Sequence, residues 1–313
     1  MEKIFASLAK WHQEGMKTAL AVVTRTWGSA PRGVGSLMAI AKDGRFEGSV
    51  SGGCVEGTVI AEALALIEAG GTKCLSFTVA SEQAWEVGLA CGGQIDIQVV
   101  ALGGAVDKQA NSIIAAITNR QCGRIAFSLV QGTFNFLEEK QIDIIQISEE
   151  ILSLKLEPKC RLVLIGAVHI AQYLAPMAIE TGFDVTVIDP RATFTESRDF
   201  GAATIVEDWP DEVFARQAAD DHTAIVTLTH DPKIDDAALA PALKSSAFYI
   251  GCLGSKKTHA ARLSRLQDAG FGAESLGRIH GPVGLNIGAK NPAEIAVSIL
   301  AEIIQVQRHT DAI

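Results

Sequence analysis

From residue 161 onward, short apolar segments typical of strands alternate with amphipathic segments typical of helices. Predicted strands span 162–165, 185–188, 224–228 and 247–250, predicted helices span 170–180, 235–243 and 258–267, and a final helix begins near Pro292. Strands that alternate with helices form a parallel sheet covered by helices on both faces. This pattern predicts an α/β domain with a doubly wound parallel sheet in the C-terminal half.

The N-terminal half mixes strands and helices without that regular order. A β-branched run at residues 18–25 is typical of a buried strand, and an alanine-rich run at residues 55–69 is typical of a helix. The length of 313 residues favours two domains of ordinary size. Between residues 148 and 159, charges gather around Pro158, as at a domain junction. We predict a mixed α/β domain over residues 1–157 and a Rossmann-like domain over residues 158–313.

The charge and hydropathy of the chain exclude several classes of partner. The 27 Lys and Arg against 36 Asp and Glu give a net charge of -9, which provides no attraction for nucleic acid or anionic membranes. No apolar stretch reaches the ~18 residues of a membrane-spanning helix. The first residues lead into a polar, helix-like segment rather than a signal peptide. We expect a cytoplasmic protein.

The C-terminal half carries a turn typical of nucleotide-binding folds. The first predicted strand ends at Gly166 and leads through His169 into a helix, and the next strand ends at Asp189. This spacing lets a turn glycine face a phosphate and an acid accept from ribose hydroxyls. Val168 stands where a second glycine is usual, so Gly166 either helps to bind a nucleotide or phosphate, or only makes a tight turn. Arg191 either balances a phosphate or pairs with a nearby acid.

Other candidate ligand contacts follow the later strands. His230 lies where doubly wound sheets bind ligands, and it is either a pocket residue or a surface residue at a helix start. Asp231 is expected to cap that helix. The following glycine turn with two lysines is a candidate anion cradle, whose members are Gly251, Gly254, Ser255 and Lys256. A later rigid loop containing Gly284 is a candidate pocket wall.

Two cysteines in the first half stand beside glycines. Cys54 opens a predicted helix, whose N-terminal partial charge favours a thiolate, and Cys91 stands on a second glycine turn. Both are candidate nucleophiles and candidate ligands for a soft metal, or small residues in tight space. Glu56 is either a helix-start acid or a proton acceptor beside Cys54, and Arg32 is placed to meet an anion. The loop before Cys54 adds Ser51, Gly52 and Gly53 as candidate contacts.

The remaining cysteines are expected in the core, since they lie in or beside apolar stretches. They are Cys74, Cys122, Cys160 and Cys252. The spacing of all six cysteines fits no CxxC zinc or redox motif, and the chain is not expected to be a disulfide scaffold.

Together these motifs resemble the xanthine dehydrogenase accessory factor family (XdhC/CoxI) over nearly the whole chain. The first half matches at Gly28-Ser29-Ala30-Pro31-Arg32, Gly48 to Glu56 and Cys91-Gly92-Gly93. The second half matches at Val187 to Arg191, Thr229-His230-Asp231, Tyr249-Ile250-Gly251, Gly254-Ser255, His280 to Gly288, Pro292 to Ala296 and Ser298 to Glu302. The chain departs from the family pattern at Val168, commonly glycine, and at Asn286, often Asp.

The resemblance implies an N-terminal accessory domain and a C-terminal Rossmann domain that binds molybdenum cofactor (molybdopterin). It further implies protection of that cofactor, support of its sulfuration by a cysteine desulfurase, and delivery to a molybdenum hydroxylase. A homodimer and a role as a non-catalytic cofactor carrier are also implied. Two alternatives remain open: an NAD(P)-dependent oxidoreductase, and an assembly scaffold without a ligand.

Overall fold

The computed structural model describes residues 1–28, 32–53, 55–78, 94–139 and 143–310. The chain divides into two compact units, Met1–Pro158 and Lys159–Ile313. Within the described ranges, no helix is long and apolar enough to cross a membrane.

The first unit contains two antiparallel sheets and three described helices. The five-stranded sheet has the order β3-β2-β1-β5-β4, and the four-stranded sheet has the order β7-β6-β9-β8. The helices are α1 (Glu2–Gln13), α2 (Glu56–Ala69) and α3 (Val106–Thr118); the strands are β1 (Thr18–Trp27), β2 (Leu37–Ala41), β3 (Phe46–Gly48), β4 (Thr72–Thr78), β5 (Gln94–Ala101), β6 (Gly123–Ser128), β7 (Phe134–Glu138), β8 (Ile145–Ile147) and β9 (Ile151–Leu156).

The five-stranded sheet is buried on both faces, which explains the continuous apolar run of β1. Leu20 belongs to one core together with Leu8 of α1 and Ile113 of α3. Its neighbour Ala21 belongs to a second core together with Val59 of α2. Because successive side chains of a strand point to opposite faces, each face of β1 requires apolar residues.

The charged interval of residues 148–159, which precedes the predicted boundary near Pro158, contains strand β9. β9 pairs with β6 and β8, and it buries Leu152, Leu154 and Leu156. A leucine at every second position is the pattern of a half-buried strand. The neighbouring charges and Pro158 obscured that pattern in the sequence.

The second unit is the predicted doubly wound domain. Its six-stranded parallel sheet has the order β12-β11-β10-β13-β14-β15. The strands are β10 (Arg161–Ile165), β11 (Asp184–Ile188), β12 (Thr204–Val206), β13 (Thr223–Thr227), β14 (Tyr249–Cys252) and β15 (Ile279–His280); the helices are α4 (His169–Glu180), α5 (Ala192–Glu196), α6 (Pro210–Arg216), α7 (Pro232–Lys244), α8 (Lys256–Asp268), α9 (Ala273–Leu276) and α10 (Pro292–Thr310). The predicted fold class is confirmed.

Helices cover both faces of this sheet. Leu162 and Leu164 of β10 pack in a core with residues of α4 and α10, whereas Val163 and Ile165 pack in a core with residues of α7. The main displacement from the predicted elements concerns β14, which includes Gly251 although a turn was expected there. A Cβ on Gly251 would lie 2.6 Å from Val283 Cγ2, so glycine is required by close packing within the strand.

Candidate functional site

The loop before α2 is organised by one carboxylate. Glu56 begins α2 and is 9% exposed. It accepts hydrogen bonds from the backbone N–H groups of Val50 (3.2 Å), Ser51 (2.9 Å), Gly52 (3.0 Å) and Gly53 (2.9 Å), and from the hydroxyls of Ser49 (2.7 Å) and Ser51. The positive φ angles of Gly52 (82°) and Gly53 (121°) require glycine in this loop.

This hydrogen bonding controls the protonation of Glu56. Burial raises the pKa of the carboxyl group, but hydrogen bonds from Ser51 and Ser49 outweigh burial and lower the pKa to about 2. A carboxylate with so low a pKa and so many donors is a weak proton acceptor at neutral pH. The geometry therefore favours the helix-start role of Glu56 over the proton-acceptor role.

The two cysteines predicted as nucleophiles and metal ligands, Cys54 and Cys91, lie outside the described residues. Arg32 lies in the connection between β1 and β2, and its side chain is exposed. Among the described parts of the chain, no group of three His, Cys, Asp or Glu side chains is arranged to hold a metal ion.

In the second unit, the fold places most candidate contacts at one edge of the sheet. Parallel strands present their carboxyl ends at a common edge, where doubly wound folds bind ligands. Residues that follow those ends are Gly166 and His169 after β10, Asp189 and Arg191 after β11, His230 after β13, Gly254, Ser255 and Lys256 after β14, and Gly284 after β15. Gly251 lies within β14 and is buried.

The Gly166 turn is packed tightly against the next loop of this edge. Gly166 has φ +113°, and a Cβ there would lie 2.6 Å from Thr229 Cγ2. The following residue, Ala167, donates its N–H to Asp189 Oδ2 at 2.8 Å. The Arg198 side chain donates to the Ala167 carbonyl. The backbone at Ala167 is therefore held on both sides by side chains of the chain itself.

Asp189 is fully buried, and both of its carboxylate oxygens accept hydrogen bonds. Besides the Ala167 N–H, it accepts from the Arg191 backbone N–H at 3.1 Å and from Arg191 Nε and Nη2, each at 2.8 Å. Burial raises the pKa of Asp189, but hydrogen bonds from Arg191 and Ala167 give a net lowering. Of the two alternatives for Arg191, pairing with a nearby acid is the arrangement observed.

His230 is exposed and has a strained backbone. Its φ of +61° lies in the left-handed region, which non-glycine residues seldom adopt. The preceding Thr229 fixes this turn, because its hydroxyl donates to Asp235 Oδ1 at 2.6 Å and accepts from the Asp231 N–H at 3.0 Å. Asp231 accepts from the Lys233 N–H and caps α7, as predicted.

A buried charge pair joins two loops of the edge. Asp235 of α7 supports Thr229, and its Oδ2 lies 3.5 Å from Nη2 of Arg262 in α8. Arg262 Nη2 also donates to the Leu253 carbonyl at 2.9 Å. Arg262 is 2% exposed, and its Nε and Nη1 have no partner among the described residues. Sequence reasoning missed Arg262, because nothing in the polar sequence of α8 marks one arginine as buried.

The turn after β14 ends in a capped helix. The Ser255 hydroxyl accepts from the Thr258 N–H at 3.1 Å and caps α8. Gly254 has φ +143° and packs against Thr258, while Lys256 and Lys257 are exposed in the first turn of α8. Ser255 thus uses its hydroxyl locally, and the cations face solvent.

Glu302 of α10 fixes the loop that contains Gly284. Its Oε2 accepts from the Tyr249 hydroxyl at 2.5 Å and from the Gly284 N–H at 2.7 Å, and its Oε1 lies 3.2 Å from His280 Nδ1. The His280 and Tyr249 rings are in contact, with centroids 4.5 Å apart and planes tilted by 30°. Tyr249 and Glu302 lie far apart in sequence, so residue patterns alone could not join them.

Two family models match the chain. The model described as the XdhC Rossmann domain matches residues 162–303. The model described as the XdhC and CoxI family matches residues 11–78.

Curated relatives and a solved structure extend these matches. A Bacillus subtilis protein described as a probable xanthine dehydrogenase subunit is 29% identical, over 93% of this chain and 94% of its own length. The molybdenum cofactor insertion chaperone PaoD of Escherichia coli is 27% identical, over 95% of this chain and 86% of its own length. The crystal structure of a Bacillus halodurans protein described as a xanthine dehydrogenase shares the fold, with a TM-score of 0.73 at 23% identity, over 97% of this chain and 96% of that chain.

Proposed function

This chain belongs to the XdhC and CoxI family, and we propose that it binds molybdenum cofactor as cargo, protects it and delivers it to a xanthine dehydrogenase-type molybdenum hydroxylase. The observation that carries the proposal is the similarity to a molybdenum cofactor insertion chaperone over 95% of this chain. The role is that of an accessory protein, with the chemistry left to the client enzyme.

The chemistry of the candidate residues suits this cargo. Molybdopterin presents a phosphate, a polar pterin and a metal dithiolene, so its carrier needs an anion site, hydrogen-bonding groups and a soft ligand near the metal. Arginines and exposed His230 at the sheet edge of the second unit supply the first two kinds of group. Independently of that sheet edge, we propose the thiols of Cys54 and Cys91 as soft metal ligands because of their residue type.

The Glu56 carboxylate supports the role of Cys54 indirectly. Glu56 accepts hydrogen bonds from the N–H groups of Gly52 and Gly53, the two residues before Cys54. Val55, the residue after Cys54, donates its N–H to Ser51 Oγ at 3.0 Å. The chain on both sides of Cys54 is therefore fixed by hydrogen bonds. Such fixation reduces the entropy lost when a side chain in that loop binds a ligand.

We also propose support of cofactor sulfuration by a cysteine desulfurase, in which Cys54 and Cys91 hold the cofactor while sulfur is added by that enzyme. A homodimer in the cytoplasm is the expected state of the carrier. An NAD(P)-dependent oxidoreductase is less well supported, because Asp189, the expected acceptor for ribose hydroxyls, is buried and bonded to Arg191 and Ala167.

The test is anaerobic calorimetric titration of the purified full chain with molybdenum cofactor, and separately with NADH and NADPH, followed by metal analysis of the recovered complex. We expect roughly stoichiometric binding of the cofactor and no response to either nicotinamide. Nicotinamide binding alone would replace the carrier proposal with the oxidoreductase. Binding of none of these molecules would favour a scaffold without a ligand.

Cysteine variants test the proposed thiol ligands. Cys54→Ser and Cys91→Ser should weaken cofactor binding and lower the yield of sulfurated cofactor. Cys74→Ser serves as the matched control, because Cys74 of β4 is exposed, which corrects the prediction that it lies in the core. Equal binding and equal client activation by all three variants would contradict a thiol role for Cys54 and Cys91.

A further inference from the structure

Two arginines stack on one aromatic ring beside the Gly166 turn. The guanidinium carbon of Arg191 lies 4.3 Å from the centroid of the Phe194 ring, and that of Arg198 lies 4.9 Å from the same centroid. A guanidinium group near an aromatic face is attracted by the ring quadrupole and loses mobility. Phe194 therefore holds both guanidinium groups against one ring. We call Arg191, Phe194 and Arg198 the arginine clamp.

The two arginines of the clamp differ in their carboxylate neighbours, since Asp189 pairs with Arg191 and the charges of Asp231 and Asp235 also act on it. Arg191 is paired with Asp189, but Arg198 has no carboxylate partner among the described residues and donates only to the Ala167 carbonyl. Arg191 Nη1 and the Nε and Nη2 of Arg198 also have no partner in the described part of the chain. All three side chains of the clamp are half-buried, so solvent can still reach them.

The surroundings of the clamp also favour an anion. Ala167, whose carbonyl accepts from Arg198, lies two residues before His169, the first residue of α4. No side chain caps this end of α4, and its first turn contains no acidic residue. The partial positive charge of the helix N-terminus then adds to that of the guanidinium groups.

The same region is unsuited to a dinucleotide. Asp189, which follows the second strand of the fold, has no exposed surface and is surrounded by donors from Ala167 and Arg191. To accept from ribose hydroxyls, it would have to break its pair with Arg191 and be uncovered. Removing one partner from such a buried pair is costly, because a charge is left uncompensated.

From these contacts we propose that the arginine clamp is a binding site for a phosphomonoester, and that it selects against phosphodiesters and dinucleotides. A phosphomonoester has three terminal oxygens to accept from the three free guanidinium nitrogens, whereas a diester has two and carries less charge. That the bound phosphate is the terminal phosphate of molybdopterin rests on the function proposed above. The ability of the clamp to bind a phosphomonoester does not depend on that function.

The first experiment is calorimetric titration of the full chain with phenyl phosphate, diphenyl phosphate and NADH. We expect phenyl phosphate to bind, and diphenyl phosphate and NADH to bind at least about 10-fold more weakly. Diphenyl phosphate binding as tightly as phenyl phosphate, or no binding of phenyl phosphate, would overturn the proposal.

Variants then locate the site. Arg198→Met should weaken phenyl phosphate binding about 10-fold or more, and Arg198→Lys should restore only part of the affinity, because lysine keeps the charge but lacks the planar fork. The matched control is Arg216→Met, which changes an exposed arginine of α6 in the same unit. Circular dichroism and thermal unfolding check that each variant is folded. Equal loss of affinity in Arg198→Met and Arg216→Met would reject the clamp in favour of a general charge effect.

Failure of this proposal can be told from failure of the carrier function. If molybdenum cofactor binds and Arg198→Met binds it as tightly as the wild type, the clamp proposal is wrong and the carrier proposal stands. If phenyl phosphate binds through Arg198 and molybdenum cofactor does not bind at all, the clamp stands and the carrier proposal is wrong.

Discussion

The Asp235 carboxylate lies 3.5 Å from the Arg262 guanidinium, and both side chains are almost completely buried. Through this pair, the turn at Thr229 is linked to the Leu253 carbonyl in the next loop of the sheet edge. The charge pair thus sets the positions of two loops that carry candidate ligand contacts. It is the part of the site whose stability is most sensitive to single substitutions.

A double-mutant cycle tests this pair. Arg262→Met leaves a buried carboxylate without a counter-charge and should lower the free energy of unfolding by about 3 kcal/mol. Asp235→Asn should cost less, because burial already disfavours the charged form of this carboxyl group. The double variant should be less destabilised than the sum of the single variants. Urea denaturation of all four proteins measures these values, and strict additivity would show that the two side chains do not interact.

The pH dependence of the Asp235→Asn effect follows from the pKa of Asp235. Burial raises that pKa, and the hydrogen bond from Thr229 and the charge of Arg262 offset the increase only in part. Since the folded state binds this proton more tightly than the unfolded state does, the group contributes stability fully below its ordinary pKa and loses it as pH rises through the shifted pKa. Wild type should therefore gain stability relative to Asp235→Asn on mild acidification. If the wild type instead lost stability relative to Asp235→Asn on acidification, the pKa of Asp235 would not be raised.

Glu56 should show the opposite pH dependence. With its pKa lowered to about 2, its contribution to stability is present above its ordinary value of 4.5 and is lost as pH falls toward 2. At neutral pH, Glu56→Gln should lower the free energy of unfolding by about 2 kcal/mol, because an amide nitrogen would face backbone donors. The control is Glu62→Gln on the same helix, which removes only a surface pair with Lys73. In urea denaturation between neutral pH and pH 3, the stability gap to wild type should narrow for Glu56→Gln and change little for Glu62→Gln.

Local patterns made much of the fold predictable from the sequence. The second unit is built from short apolar strands and amphipathic helices, each recognisable within a few residues, and Asp231 marks the start of its helix by its own side chain. β9 was missed because charged neighbours concealed its alternating leucines.

The contacts of the candidate site were less predictable, because they join distant residues. The pairing of Asp189 with Arg191 spans two residues and could be weighed from the sequence. By contrast, Arg262 and Glu302 support the sheet edge only because α8 and α10 bring them to particular loops. Helix periodicity identifies a buried face but does not say which carbonyl or amide a side chain there will meet.

A side chain at Gly166 should destabilise the fold in two ways, through backbone strain and through a clash with Thr229. Gly166→Ala places a Cβ in a strained backbone at φ +113° and also 2.6 Å from Thr229 Cγ2. Gly182→Ala is the matched control, because Gly182 has φ +98° and no neighbour within 4 Å of its built Cβ. We expect Gly182→Ala to lower the free energy of unfolding by about 1 kcal/mol through backbone strain alone. Gly166→Ala should lower it by about 1–3 kcal/mol more, because the added Cβ also clashes with Thr229.

A second substitution checks the cause of the larger loss. Thr229→Ser removes Cγ2 and keeps the hydroxyl that binds Asp235, so Gly166→Ala should cost less in the Thr229→Ser protein than in the wild type. Thermal and urea unfolding provide the measurement. If Gly166→Ala lowered the free energy of unfolding equally in the wild type and in Thr229→Ser, the clash would not involve Thr229 Cγ2.

The hydrogen bond from the Gly284 N–H to Glu302 should protect the loop after β15 from hydrogen exchange. Glu302→Ala removes the acceptor of that amide, so hydrogen exchange at Gly284 should become about 10-fold faster. Tyr249→Phe is the matched control: burial and the Glu302 carboxylate raise the pKa of the Tyr249 hydroxyl, which stays protonated and donates to the same oxygen, but its removal leaves the Gly284 bond in place. Exchange measured by NMR should thus change strongly in Glu302→Ala and little in Tyr249→Phe. Equal acceleration in both variants would mean that Tyr249 packing, rather than the Glu302 bond, protects this loop.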